Sequence, residues 1–321
     1  MSGDAQQWLG RRTFHHEDFA DVERLRGLKQ AQGVTISVGI PTLNEAPTLG
    51  PILRAIRERL MDEAGLVDEL AIIDSQSTDG TVGIAEAERA TVYQDREILP
   101  DLEPSGGKGE ALWKSLFVLR GDLIAWIDAD IENFDPRFVY GLLGPLLTDP
   151  DIGYVKAFYQ RPLRVDGGTL PSEGGRVTEL VARPLINMFW PHLAGLLQPL
   201  SGEYAGRRSV LEQVPFFTHY AVELGLVVDV TDRFGLDALA QVDLVERVHR
   251  NRPLEELAPM AFAILQAALR RVGTSDGLAS DTGRTLHLPV GDQGEYRMSA
   301  TEVRVVERPP AASLAEYRGS R

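Results

Sequence analysis

The chain of 321 residues contains no cysteine, which removes disulfides, thiolate nucleophiles and cysteine-ligated zinc from the candidate chemistry. Positive charge is also scarce. Lys and Arg number 33 against 47 Asp and Glu, a formal net charge of −14, and this opposes general attraction to nucleic-acid phosphates, so local basic spots serve small anions. No apolar run approaches the roughly 18 residues of a membrane-spanning helix. The polar start around Gln6, Arg11, Arg12, His15 and His16 lacks the basic-then-apolar pattern of a leader. The expectation is a soluble, cytoplasmic protein that engages neither nucleic acid nor membrane. There is no internal repeat. What is present is a composition 43% hydrophobic and 25% charged, enough to bury a substantial core.

Residues 1–33 lack clear periodicity beyond a short helix around Phe19 to Gln30 and read as an N-terminal arm. The β-branched run Thr35 to Ile40 ends at Pro41, and Pro51 to Leu60 then carries Ile52, Leu53, Ile56 and Leu60 at helical spacing. The βα pattern repeats: Leu70 to Ile73 is apolar, the polar cluster Asp74 to Gly80 stops it, and Thr81 to Ala90 is helical. A strand over Ala90 to Tyr93, a helix over Gly109 to Arg120 and a strand over Asp122 to Ile127 follow. Alternation of this kind predicts an α/β fold with a mostly parallel, helix-covered sheet. Further on, the pattern predicts a strand over Gly153 to Phe158 and helices over Arg176 to Met188 and Thr218 to Phe234. Thr274 to Asp292 and the last 14 residues read as loop and tail. The division expected is an arm 1–33, a catalytic domain 34–270 with halves near 34–150 and 151–270, and a C-terminal extension 271–321.

Ligands of such sheets bind beyond the carboxyl ends of the strands, and the loops at Asn44, Ser75 and Asp128 share that edge. Asp128-Ala129-Asp130 follows Leu123 to Ile127, so its carboxylates, two residues apart on extended chain, project to one side. Two like charges that close call for a cation, and oxygen ligands suit Mg²⁺ or Mn²⁺, which neutralises charge on a departing diphosphate. Two solvated aspartates at a turn are the ordinary alternative. His249, in the basic segment Arg247 to Pro253, is a candidate further ligand; an isolated histidine more often serves the surface or packing. Gly106-Gly107-Lys108-Gly109-Glu110 opens a helix and lets backbone N–H groups approach an anion while Lys108 supplies charge. It lacks the spacing of a P-loop. Gly174-Gly175-Arg176-Val177-Thr178 has the same logic with an arginine fork. A flexible glycine loop and an N-capped helix are their respective alternatives; two anion cradles suit a donor diphosphate and an acceptor phosphate.

The succession Ile40-Pro41-Thr42-Leu43-Asn44-Glu45, Ile73 to Gly80 and Asp128-Ala129-Asp130 resembles the opening of GT-A glycosyltransferases. Gly107 to Trp113, Gly175 to Leu185, Gln198 to Tyr204 and His249 to Leu254 are similar to the retaining glucosyl- and mannosyl-3-phosphoglycerate synthases. The resemblance, covering about residues 35–270, implies a GT-A fold and transfer of glucose or mannose from UDP-glucose, GDP-glucose or GDP-mannose to D-3-phosphoglycerate.

Carried over position by position, it implies nucleotide contacts at Pro41, Thr42, Leu43, Glu45, Ser75, Asp128 and Ala129, with Lys108 near the donor. Asp130 and His249 would hold a divalent metal, Mg²⁺ or Mn²⁺ with Co²⁺ a further candidate. Gly175, Arg176, Thr178 and Asn251 would take phosphoglycerate, and Glu223 and Arg247 would face the sugar. A homodimer is also implied. Ala129, where many relatives have serine, and Thr42, where alanine is frequent, depart from the pattern beside the nucleotide. The rival readings are another GT-A glycosyltransferase, a sugar nucleotidyltransferase and a non-enzymatic nucleotide-binding module. A nucleotidyltransferase glycine loop normally follows the first strand, whereas here Ile40 precedes Pro-Thr-Leu-Asn-Glu.

Overall fold

The computed structural model describes residues 2–165, 168–170, 175–248, 254–273, 283–292 and 295–319. Strands run in chain order as β1 Thr13–His15, β2 Ile36–Thr42, β3 Glu69–Asp74, β4 Thr91–Gln94, β5 Leu123–Trp126, β6 Tyr154–Gln160, the pair β7 Leu163–Val165 and β8 Gly168–Leu170, β9 Tyr204–Arg207, β10 Phe216–Phe217, β11 Leu239–Glu246, β12 Thr285–Asp292, β13 Glu295–Glu302 and β14 Glu307–Arg308. The helices are α1 Ser2–Arg12, α2 Val22–Gln32, α3 Ala46–Ile56, α4 Thr81–Ala87, α5 Gly107–Val118, α6 Arg137–Thr148, α7 Arg183–Phe189, α8 Arg208–Leu211, α9 Val222–Phe234, α10 Leu254–Arg271 and α11 Ala315–Gly319.

Eight strands form one sheet in the order β1-β11-β6-β9-β5-β2-β3-β4. Only β9 runs antiparallel to its neighbours; the other pairings are parallel. Alternation along the strands builds two cores. Ile36, Val38, Ile40, Leu123 and Ala125 pack with α2, α3 and α6, while Ile124 and Trp126 pack with Trp8 of α1, Trp113 of α5 and the apolar face of α9. The sheet is therefore covered on both faces, as its near-continuous apolar strands require. No helix among the described residues is long and apolar enough to cross a membrane.

Three expectations change. The first 33 residues are part of the domain: β1 pairs with β11 as an edge strand, and buried Trp8 donates its indole N–H to the Leu236 and Leu239 carbonyls, 3.0 and 3.1 Å away. A three-residue strand completed by a partner more than two hundred residues later leaves no local periodicity to read. The segment expected as loop over 274–292 contains β12, paired with β13; residues 274–282 lie outside the described set. The last 14 residues are anchored, not a tail. Arg308, Ala311 and Tyr317 are buried, β14 pairs with β10, and Trp113 donates to the Pro309 carbonyl at 2.8 Å.

The expected helix over Thr218 to Phe234 begins at Val222, after a single 3-10 turn over His219–Ala221. The helix read over Arg176 to Met188 opens with a wide π turn, Thr178–Ala182, before α7. Pro184, which lacks an N–H to donate, falls where that π turn passes directly into α7.

Candidate active site

The carboxyl ends of β2, β3, β5, β6 and β11 open on one cavity of about 300 Å³. On its β2–β3 side lie Pro41, Thr42, Leu43, Glu45 and Ser75. These loops are braced from beneath. Buried Asp74 accepts from Thr42 Oγ1 at 3.0 Å, from Ser77 Oγ at 2.6 Å and from the Ser77 amide at 2.9 Å, and Ser75 Oγ donates to Asp95 at 2.8 Å. Asn44, with φ of 59°, takes the left-handed conformation that asparagine tolerates; its amide donates to Ser77 Oγ and its Oδ1 accepts from the Thr78 amide, each at 2.8 Å. Thr48 Oγ1 donates to the Ala129 carbonyl at 2.6 Å and ties this edge to the aspartate pair.

At the centre are Lys108, Asp128, Ala129, Asp130, Glu223 and Arg247. Lys108 stands in the first turn of α5, and its backbone is held close to the chain behind it. A Cβ on Gly109 would meet the Phe217 carbonyl oxygen at 2.0 Å, so only glycine allows that approach. Lys108 Nζ hydrogen-bonds Asp128 Oδ1, donates to the Gly202 carbonyl at 3.0 Å and lies 3.2 Å from Glu223 Oε1. Gly202 is equally constrained, since a Cβ there would fall 1.8 Å from Asp128 Oδ2. From the other side Arg247 Nη2 donates to Asp128 Oδ2 at 3.0 Å and to Asp130 Oδ1 at 2.5 Å. Its Nε sits 3.1 Å from Glu203 Oε1 but off the line of a hydrogen bond, so that pair attracts by charge alone.

Burial works against every charge here, and the partners decide the outcome. It opposes the Lys108 ammonium, yet Asp128 and Glu223 outweigh it and hold the amine above its usual range. It opposes the Asp128 carboxylate too, but Lys108 and Arg247 keep that group well below the normal carboxylate range. For Glu203 burial prevails over Arg247 and raises the pKa. Lys156, beneath the site on β6, donates to the Ser201 carbonyl at 2.6 Å, and burial lowers it to about 7.

On the third side are Gly175, Arg176 and Thr178. The wide turn that begins at Thr178 leaves this threonine buried against the cavity. Every sequence-predicted site residue within the described set thus borders one cavity; His249 and Asn251 lie outside that set. A divalent cation fits the oxygen donors present. Asp128 and Asp130 are brought together by one guanidinium and keep 20% and 24% side-chain exposure, and only Oδ1 of Asp130 has a hydrogen-bond partner among the described residues. Hard oxygen ligands of this type suit Mg²⁺ or Mn²⁺. The trio His15, His16 and Glu17, whose donor atoms lie within 4.8 Å of one another, stands apart on the N-terminal segment.

Residues 37–227 match the family model for glycosyl transferase family 2. The glucosyl-3-phosphoglycerate synthase of Petrotoga mobilis is 47% identical over 96% of this chain and 95% of its own length. The chain belongs to the glucosyl-3-phosphoglycerate synthase family. Among solved structures, the mannosyl-3-phosphoglycerate synthase of Rubrobacter xylanophilus superposes with a TM-score of 0.87 at 39% identity, covering 97% of this chain and 98% of that one. The glucosyl-3-phosphoglycerate synthase of Mycobacterium tuberculosis, solved with Mn²⁺, UDP and glucosyl-3-phosphoglycerate, gives 0.82 at 42% identity over 94% and 99%. The chain is therefore a family 2 glycosyltransferase with the GT-A-like sheet its motifs implied.

Sequence reasoning missed Arg161, Leu200, Gly202 and Tyr220, and the wall that α10 supplies through Leu257, Met260 and Ile264. The Gln198 to Tyr204 segment carried a family resemblance but no role; its signal was Gly202, whose missing Cβ admits Asp128. Arg161 follows a strand end with no flanking glycine or acid to single it out.

Proposed function

We propose that this glycosyltransferase moves glucose from UDP-glucose to D-3-phosphoglycerate with retention of anomeric configuration. The observation that carries this is one cavity joining a braced nucleotide edge, a carboxylate pair balanced by buried cations, and the Gly175–Thr178 segment with Arg176. The relatives' substrates supply both reactants: the M. tuberculosis enzyme has been solved with Mn²⁺, UDP-glucose and phosphoglyceric acid. Mannose, and the GDP sugars, form the second reading, favoured by the likeness to the Rubrobacter mannosyl enzyme.

In the reaction the only free hydroxyl of 3-phosphoglycerate attacks the anomeric carbon, the bond from that carbon to the β-phosphate oxygen breaks, and the hydroxyl proton passes to the departing diphosphate. Lys108 and Arg247 lie where negative charge grows and stabilise it without reorganisation. Asp130 and, as the resemblance implies, His249 would hold a divalent cation, which would supply Lewis-acid neutralisation of the same diphosphate. Glu223, held by Lys108, binds the sugar. Arg176 and Thr178 hold the acceptor, with Gly175 and Asn251 completing its contacts. Front-side attack is favoured over double displacement because Glu223 is already paired with Lys108 and is poorly disposed as a nucleophile. A homodimer is the assembly we propose, supported by the exposed apolar side chains Leu180, Met188 and Phe189 around α7.

The test is NMR of the product formed from UDP-glucose and phosphoglycerate. An α-linked glucoside supports retention, and a β-linked one refutes it. A glycosyl adduct trapped on Glu223 overturns the front-side route.

A further inference from the structure

Arg161 follows the last residue of β6 and borders the cavity. Its guanidinium is supported on one side only. Nη2 donates to Tyr159 Oη at 3.1 Å, the group lies 5.0 Å from the Tyr159 ring centroid, and Tyr159 is fixed in turn by donating to Glu203 Oε2 at 2.5 Å. Burial holds the Tyr159 hydroxyl protonated, its pKa pushed up to about 12, so it remains a donor to Glu203 and an acceptor for Arg161. The buried Nε of Arg161 has no hydrogen-bond partner, and no carboxylate among the described residues lies within ion-pair distance of the group.

The other cations at the centre differ. Lys108 is balanced by Asp128 and Glu223, and Arg247 by Asp128, Asp130 and Glu203. A half-buried guanidinium with no carboxylate in ion-pair range among the described residues, held by a locked tyrosine, is arranged to receive an anion.

Sheet order says which anion. β6 is separated from the nucleotide-side strands β2 and β3 by β9 and β5. It pairs with β11, whose end carries Arg247, and the chain beyond Arg161 leads to Gly175 and Arg176. Phosphoglycerate has two anionic ends, a carboxylate and a phosphate, and Arg176 supplies one fork.

We propose that Arg161 is a second acceptor-binding arginine, gripping an anionic end of the phosphorylated acid alongside Arg176. This rests on the acceptor assigned above. The test is steady-state kinetics of Arg161→Gln and Arg161→Lys with UDP-glucose and 3-phosphoglycerate, beside UDP binding measured in Mn²⁺. Loss of a charge-assisted contact predicts that Arg161→Gln raises KM for phosphoglycerate roughly 10- to 100-fold while UDP binding and KM for UDP-glucose stay within about twofold. Arg161→Lys, which keeps the charge but loses the fork, recovers part of that loss. An equal rise in both KM values, or a fall in kcat alone, overturns the assignment, as does wild-type phosphoglycerate KM in either variant. If Arg161→Gln does not fold, Arg161→Lys decides by the same split. Failure of the wild-type protein to turn over phosphoglycerate instead strikes the functional reading, and the two failures are thereby told apart.

Discussion

The two edges of the cavity are built differently. On the β2–β3 edge the polar side chains finish their hydrogen bonds inside the protein: Thr42 and Ser77 on Asp74, Ser75 on Asp95, Asn44 on the following loop. On the β6–β11 edge the polar groups are cations, paired with carboxylates at the site or, for Arg161, with no carboxylate in ion-pair range among the described residues. The first edge is internally satisfied, which on the proposed reading makes it a finished cradle for a neutral base and ribose. The second is a set of buried charges balanced against one another, suited on the proposed reading to exchange partners with incoming anions. The contrast separates binding of the nucleotide from handling of the charge that moves.

The strongest way to break this contrast is to remove the carboxylate proposed to hold the metal. Asp130→Ala lowers turnover by about 10²- to 10³-fold or more, the range seen when one main electrostatic stabiliser is lost, while the melting temperature stays near wild type because Asp130 is partly exposed. Full activity in that variant removes Asp130 from the metal site. Next comes Arg176→Ala, expected to raise KM for phosphoglycerate on the order of tenfold or more and to leave KM for UDP-glucose nearly unchanged. Parallel changes in both values erase the division between edges.

A structural prediction follows for the C-terminal segment. Arg308 donates to Glu110 at 2.7 and 2.8 Å, and both are buried. Glu110 is two residues from Lys108, so Arg308 braces the first turn of α5, which carries the central ammonium. Arg308→Ala leaves buried Glu110 with only the Lys114 ammonium, 3.6 Å away, as a charged partner among the described residues and costs up to about 3–5 kcal/mol, read as a lower denaturant midpoint. Unchanged stability contradicts the anchoring role.

The smallest effect concerns Lys156, whose pKa burial lowers from 10.5 to about 7. Between those values the unfolded chain carries a proton that the folded chain lacks, so this group's contribution to stability rises with pH across the window and its penalty is complete below it. Lys156→Met should therefore gain on wild type most at pH 6 to 7 and progressively less toward about pH 10. Melting temperatures of both proteins across that range check it. A pH-independent difference rules the buried amine out as the cause.

The donor edge was legible because each of its loops follows an apolar β-branched run, and the run, the stop and the polar cluster are all local. Asp128 and Asp130 were legible for the same reason. The opposite edge depends on pairing at a distance. β9 is four residues long, contains Gly206 and shows no alternation, and it becomes a strand only between β5 and β6. β11 was not read either, although Leu239 to Glu246 alternates little because it is buried on both faces over most of its length. Without those two strands, nothing in the sequence brings Glu203, Arg161 and Arg247 together. Glu223 entered through family resemblance alone, and Arg176, legible locally as the fork of a glycine-rich anion cradle, took its acceptor role from that resemblance. Their convergence on one cavity required the fold.

The most direct test of the central claim is to incubate the protein with UDP-glucose, 3-phosphoglycerate and Mn²⁺ and to identify both products. The account predicts UDP and glucosyl-3-phosphoglycerate in equal amounts, with turnover abolished by chelating the metal. Release of pyrophosphate, or UDP release that does not depend on phosphoglycerate, would contradict it.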